Sequence, residues 1–279
     1  MAAKTTTKKK PASAPPVAPK PLSFEERAAR LEARLAEAPP DVLELYRKRL
    51  DMSWIYHDSA LEGAVYSEAE LEIALDGATP TTTPTSETGA QPASEDIRRH
   101  RDALNFIRAL ALKRKEPITV DTLREMYLIL HPEEGDVKSV RYRKDIPQHR
   151  LYFHEYAPPD KIAPKLRQIV DWIADPEVTG SRSGLRLATR AHYDLLRVFP
   201  FTHDSGKVAR LLLNLLLLRN GYPPAIIHMS ERQRYYESIK SSSTAMTQIV
   251  SEAIDNNLKS IEQMLEVLER QAVLPRSDG

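Results

Sequence analysis

Residues 191–224 read AHYDLLRVFPFTHDSGKVARLLLNLLLLRNGYPP. A helical pattern expected over 184–198 stops before Pro200, a tight loop over 199–205 follows, and a Leu-rich helix is expected over 206–220, ended by Gly221. Lys207 and Arg210 stand one turn apart at the start of that helix. The first turn of a helix has N–H groups without intrahelical partners and carries the positive end of the dipole, and two cations reinforce both. The stretch therefore reads as an anion site suited to a phosphate or diphosphate, with Asp204 in its loop, Ser205 as N-cap and Gly206 allowing close backbone approach. Spacing alone fits equally well an ordinary capped core helix with surface cations. The stretch is not a Walker loop, because the earlier glycine is missing and Lys207 is followed by Val208.

Outward from there the chain reads as helices. Ser23 with Glu26 has capping-box spacing and opens a helix that Pro39–Pro40 stops. A second helix, from about Asp41 to Glu62, has Leu43, Tyr46, Leu50, Trp54 and Leu61 on its apolar stripe and ends at Gly63. Ser67 with Glu70 opens a short helix ending near Gly77. Helices are expected over 96–115 and 120–131, from a cap at Asp160 to Ala174, from Ser230, and over 244–271. Residues 140–156 differ: Pro147 breaks helix, and Leu151–Phe153 is a short extended run, giving the chain's single β-hairpin candidate. The fold class is mainly α, a helical bundle with one small hairpin.

Composition removes several function classes. The chain has 279 residues, 40 basic and 39 acidic, and no cysteine, so disulfide scaffolds, thiolate metal sites and a cysteine nucleophile are excluded. Residues 1–21 hold five Lys, five Pro and no acid, so the rest of the chain is mildly acidic and nucleic-acid binding is not expected. Residues 1–22 read as a disordered basic Pro/Lys/Ala tail, 77–95 as a Thr/Pro-rich surface loop and 272–279 as a second tail. The longest apolar run, Leu211–Leu218, is interrupted by Asn214, and the N-terminus lacks the apolar core of a secretory signal, so a cytoplasmic protein without a membrane partner is expected.

The 199–210 stretch resembles the signature of the Fic (Fido) family, H-P-F-x-[D/E]-G-N-G-R-x-x-R, preceded by a helix ending A-H-x-x-[L/F]-x-x-I. Ala191, His192, Leu195 and Val198 match that helix; Pro200, Phe201, Gly206 and Arg210 match the signature, and Lys207 keeps a cation at an Arg position. Residues 140–173 resemble the family's substrate-binding flap hairpin and the helix after it, which would carry His149, His154 and Glu155. WIYHDSALEG, residues 54–63, resembles the family's inhibitory motif [S/T]-x-x-x-E-[G/N], with Glu62 and Gly63 matched. The resemblance implies a Fido core over 96–271 behind N-terminal helices at 23–76. It further implies an ATP-like nucleotide with magnesium, transfer of AMP or a similar group to a protein hydroxyl, and a Glu62–Arg210 pair that blocks the γ-phosphate position.

The departures bear on the chemistry. The family's catalytic His is Phe199 here, its magnesium carboxylate is His203, the next Gly and Asn are Asp204 and Ser205, and Asp58 stands at the Ser/Thr of the inhibitory motif. A positioned general base contributes about 10²–10⁴ in rate, and Phe199 cannot accept a proton. Substitute bases at hand are His203, or His154 and Glu155 from the flap, and a substitute metal ligand is Asp204 or His203, although imidazole suits magnesium poorly. His192 reads as a core histidine tied to a backbone group. Three functions follow: a nucleotide-binding Fido protein with slow or altered transfer, an inactive Fido module for binding or regulation, and, from Arg197 and His203, a helical ribonuclease of the HEPN type.

Overall fold

The computed structural model describes residues 21–76, 90–147 and 155–273. It is mainly helical, and among the described residues there is no strand. In chain order the helices are α1 (Phe24–Glu37), α2 (Pro40–Glu62), α3 (Glu68–Asp76), α4 (Ala90–Leu112), α5 (Val120–Leu130), α6 (Pro159–Ala174), α7 (Pro176–Ser181), α8 (Gly184–Val198), α9 (Ser205–Arg219), α10 (Arg232–Ser241) and α11 (Ser243–Val273).

The start signals act as their spacing predicts. Ser23 and Glu26 form the capping box of α1, and Ser67 and Glu70 exchange the corresponding bonds at α3. Gly63 closes α2 with φ 98°, a left-handed turn that a side chain resists. Three expectations need correction. Residues 90–95, read as loop, are the first turns of α4, where Arg99 lies i,i+4 from Glu95 and Arg98 donates to Ser94. Asp160 is not a cap: the backbone enters α6 through Pro158 with Pro159 at N1. An additional helix, α7, is opened by Asp175, whose side chain accepts from the Glu177 N–H. At the chain's end, 272–273 still belong to α11. The expected tail at 1–22 lies almost wholly outside the described residues, as do 77–89 of the expected loop and 274–279 of the second tail.

α9 is apolar around its whole circumference, so it can only be stable at the centre, and Ser205–Leu217 are all buried. α8 packs along it, α4 and α5 lie on it, and α11 covers α8. The asparagine that interrupts the Leu run exchanges two hydrogen bonds with Ala225, through Oδ1 at 2.7 Å and Nδ2 at 3.3 Å, and so ties the segment after Gly221 to the core helix. His192, fully buried on α8, donates from Nδ1 to the Ala209 carbonyl at 2.8 Å and accepts at Nε2 from the Tyr235 hydroxyl at 2.9 Å. Burial holds its pKa down, to about 3, so it stays neutral and clamps α8 to α9 and α10, as a core histidine should.

α2 reaches the same centre from outside. Its last turn is held by α10: Arg232 Nε donates to the Leu61 carbonyl at 2.8 Å and the Tyr236 hydroxyl to the same oxygen at 3.3 Å. The cation satisfies a carbonyl that a helix end leaves free. One turn further back, His57 stacks on His228 with ring centroids 4.2 Å apart. The residue range 58–62 is thereby pressed against the N-terminus of α9.

Candidate anion site at the start of the central helix

The loop between α8 and α9 is fixed by backbone contacts. Phe199 and Asp204 are the two non-glycine residues with positive φ, 48° and 47°, among the described residues. Phe201 is fully buried and stacks on Tyr127 at 4.2 Å. Arg143, also buried, donates from Nε to the Phe199 carbonyl at 2.6 Å and from Nη2 to those of Val198, at 3.0 Å, and Ala157, at 2.5 Å; its backbone N–H donates to the Pro200 carbonyl at 2.9 Å. One guanidinium thus satisfies the last carbonyls of α8 and joins them to 155–158. The sequence reading passed over Arg143, since a lone arginine in an irregular segment carries no pattern.

Ser205 is not the N-cap. Asp204 holds that position without a side-chain cap bond, and Ser205, the first residue of α9, uses its hydroxyl on the loop instead, accepting from the Phe201 N–H at 2.8 Å and donating to the Phe201 carbonyl at 2.9 Å. The left-handed backbone at Asp204 turns its carboxylate away from the helix amides and towards the Lys207 ammonium, Nζ at 3.1 Å, and the His131 ring, Nε2 at 2.9 Å. His131 was not a sequence candidate; the only signal was its place just after the apolar run of α5. Burial pushes the Asp204 carboxyl up, but the His131 hydrogen bond and the Lys207 charge outweigh it and hold its pKa well below the carboxylate range.

Lys207 and Arg210 are buried, not surface cations. Arg210 is answered by two carboxylates of α2: Asp58 at Nε and Glu62 Oε1 at Nη2, 2.7 Å. Asp58 Oδ2 also lies 2.9 Å from His100 Nε2 of α4, and the His100 ring approaches Ser59 Oγ at 3.4 Å. Burial raises the Asp58 carboxyl and Arg210 with His100 lowers it further, leaving its pKa at about 2. Desolvation likewise lowers the Arg210 pKa, and Asp58 with Glu62 more than reverses that. Arg210 Nη1 is buried with no hydrogen-bond partner. Glu62 lies directly over Gly206: a Cβ at 206 would overlap Glu62 Oε1 and meet Arg210 Nη1 at 3.1 Å. Glu62 Oε1 thus covers the first turn of α9 at Gly206 and also accepts from the Tyr236 hydroxyl at 3.3 Å.

The remaining candidates separate. His203 is exposed, with its ring centroid 5.9 Å from that of His131. Phe199 is buried at the C-cap of α8, its ring 5.0 Å from Tyr156. Glu155 lines a groove of about 560 Å³ between α6 and α8, together with Tyr156, Trp172 and Tyr193, and none of the 199–210 residues lines it. His149, His154 and the extended run at 151–153 lie outside the described residues, while the described flanks, 140–147 and 155–158, form no strand. The ribonuclease expectation gains nothing: Arg197 donates to the Tyr193 hydroxyl at 3.0 Å and lines that groove, whereas His203 sits beside His131.

The donor set does not fit a magnesium ion. Hard oxygen ligands are required, His203 offers none, and both oxygens of Asp204 are already engaged, one by the Lys207 ammonium and one by the His131 ring. Among the described residues no group of three or more His, Asp or Glu side chains is arranged to hold a metal.

The Fic/DOC family profile matches residues 117–217, which hold the loop, α8 and most of α9. Those residues are a Fic/DOC domain. The chain is 31% identical over 195 residues to the protein adenylyltransferase fic-1 of Caenorhabditis elegans, covering 67% of this chain and 35% of that protein. It is 26% identical over 198 residues to the protein adenylyltransferase Fic of Nematostella vectensis, covering 67% and 42%. The chain thus spans well under half the length of these curated relatives. In fold it is similar to a Fic-domain signalling protein from Bacteroides thetaiotaomicron, with TM-score 0.70 at 20% identity over 88% of this chain and 97% of that one. A crystallised segment of Fic-1 from C. elegans gives 0.68 at 23% identity, over 89% and 72%. The Fic/DOC domain is homologous to protein adenylyltransferases, and its own residues must say what chemistry is retained. Among the described residues no helix is long and apolar enough to cross a membrane.

The Asp204 contact has a pH signature. Desolvation lowers the His131 pKa, but hydrogen bonds to Asp204 and to Glu133, 3.0 Å from Nδ1, raise it above its ordinary value. A raised histidine contributes stability that is fully present below its unfolded pKa and is lost as pH rises through the folded one. The wild-type melting temperature is therefore expected to fall more steeply than that of His131→Gln as pH rises above the ordinary histidine value of about 6.5. Parallel slopes would show that His131 is not held as an imidazolium.

Proposed function

We propose that this chain binds a nucleotide or other phosphorylated ligand at the start of α9, and that Glu62 closes the site in the state described. Ser205, Gly206 and Lys207 would present first-turn amides to a phosphoryl group, with the Lys207 ammonium beside them. One observation carries the reading: a carboxylate lies on Gly206 and Arg210, so the place is already built for an anionic oxygen. Residues 96–271 would be the transferase-type core, and 23–76 the helices that bring the closing carboxylates. A protein hydroxyl is the acceptor class in any transfer, and the cytoplasm, rich in nucleotides, suits the ligand.

Transfer by the family's route is not part of the proposal. Phe199 stands where the base should act and has no lone pair to receive the hydroxyl proton, and His203 is exposed on the loop, with no carboxylate among the described residues bonded to it. The chain then acts chiefly by binding, with slow transfer at most.

Thermal unfolding with ATP and with AMP tests this. A ligand that binds only the folded state stabilises it by about 2.7 kcal/mol at a hundredfold excess over Kd. Glu62→Gly is expected to show that stabilisation with either nucleotide, and the wild type less than half of it at the same concentration. No shift in either protein with any nucleotide would leave the site without its ligand.

A further inference from the structure

The charges around α9 do not balance as a polyphosphate site requires. Two cations, Lys207 and Arg210, face three carboxylates, Asp58, Glu62 and Asp204. Further out, His131 lies between Asp204 and Glu133, at 2.9 and 3.0 Å, and Glu133 also meets Arg99 at 3.3 Å. Withdrawing Glu62 leaves two cations against two carboxylates. Neither remaining carboxylate is free to leave. Asp204 is part of the loop backbone turn, and Asp58 is 4% exposed, four residues before the end of α2, with His100 at 2.9 Å behind it. Its backbone carbonyl also accepts from Arg210 Nη2 at 3.3 Å, so Asp58 holds the guanidinium at two points.

We propose that Asp58 is a second lock on Arg210, independent of Glu62, and that it sets the ligand class of the site to one phosphoryl group instead of a triphosphate. The inference rests on the phosphate-binding reading above. When Glu62 moves away, Arg210 loses one carboxylate and keeps the other. A single phosphoryl group needs only the first-turn amides and Lys207. The further phosphates of a triphosphate need a second cation whose charge is uncommitted, and Arg210, the guanidinium at the start of α9, is already neutralised by a buried carboxylate, a pair that is hard to part. Asp58 is a positioning residue here: it acts on the ligand only through Arg210. At the matching position the family resemblance has a neutral Ser or Thr, so the added charge belongs to this chain.

Isothermal titration of the full-length chain with AMP and with ATP separates the outcomes. Glu62→Gly is expected to bind the two nucleotides within about threefold of one another. Adding Asp58→Asn, which keeps the shape and a hydrogen-bond acceptor, is expected to raise ATP affinity at least tenfold and AMP affinity by less than threefold. A substitution that merely loosened the structure would weaken both. If Glu62→Gly alone already prefers ATP tenfold, or if Asp58→Asn adds nothing, the second lock is refuted while the binding reading stands. If neither nucleotide binds either variant, the binding reading itself falls, and the lock is then judged without ligand. The Arg210 Nε–H proton of Glu62→Gly, followed by NMR, is expected to exchange slowly with solvent, and at least tenfold faster once Asp58→Asn replaces the charged acceptor by a neutral one. Fast exchange in Glu62→Gly refutes the lock. Should the double variant not fold, that same signal in the single variant decides the matter.

Discussion

Arg210→Met is expected to lower the melting temperature by roughly 6–15 °C, the largest stability effect of any single change near the site. Among the described residues Arg210 alone pairs with both Asp58, which is buried, and the half-buried Glu62, and methionine is an unbranched apolar side chain that removes the charge. Removing one member of a buried charge pair leaves the other desolvated and unpaired, at a cost of about 3–5 kcal/mol, and a chain of this size loses about 2–3 °C for each kcal/mol. The pH dependence distinguishes this cause from lost packing. In the wild type the Asp58 pKa is lowered to about 2, so its contribution is present above the ordinary value of 3.8 and is lost as pH falls through about 2. In the variant, burial acts on Asp58 without Arg210, and its carboxyl moves up instead. The gap between the two proteins should therefore be widest near neutral pH and narrow below about pH 4. A gap that stays constant into acid would mean that Arg210 stabilises by contacts alone.

Phe199→His, placed on the Glu62→Gly background, is expected to produce the largest change in activity. A base in the right place contributes about 10²–10⁴ in rate, and position 199 holds none now. The backbone favours this replacement. Residue 199 has φ 48°, a left-handed conformation in which histidine is found more readily than bulky residues such as phenylalanine. The carbonyl of residue 199 stays held by Arg143 whatever the side chain. Incubation with ATP labelled in its α-phosphate should then give labelled protein at least tenfold above Glu62→Gly alone. Equal labelling would show that His203 and Asp204, both departures from the family signature, disable transfer by themselves.

Local signals were legible without coordinates. The capping boxes at Ser23 and Ser67 follow from side chains that act on their own backbone, and the left-handed stop at Gly63 from the absence of a Cβ. The resemblance carried the site to the start of α9 and paired Glu62 with Arg210. Ser205 was misassigned because spacing cannot tell which neighbouring residue turns left-handed; Asp204 does, and that hands the N-cap position to Asp204 and the Ser205 hydroxyl to Phe201.

The lack of a proton acceptor at Phe199 followed only from the family resemblance, whereas residue patterns alone showed a helical chain and a Leu-rich helix opened by Lys207 and Arg210. Tertiary structure alone decided the sign of the charge there. Asp58, His100 and His131 are distant in sequence from Lys207 and Arg210; His100 and His131 carry no pattern, and Asp58 stands out only as a departure from the inhibitory motif. Packing α2, α4 and α5 around α9 removes water from all of them together, and in that dry space each charge must find an opposite one. An anion site read from two cations becomes, once folded, a site already filled by the chain's own carboxylates.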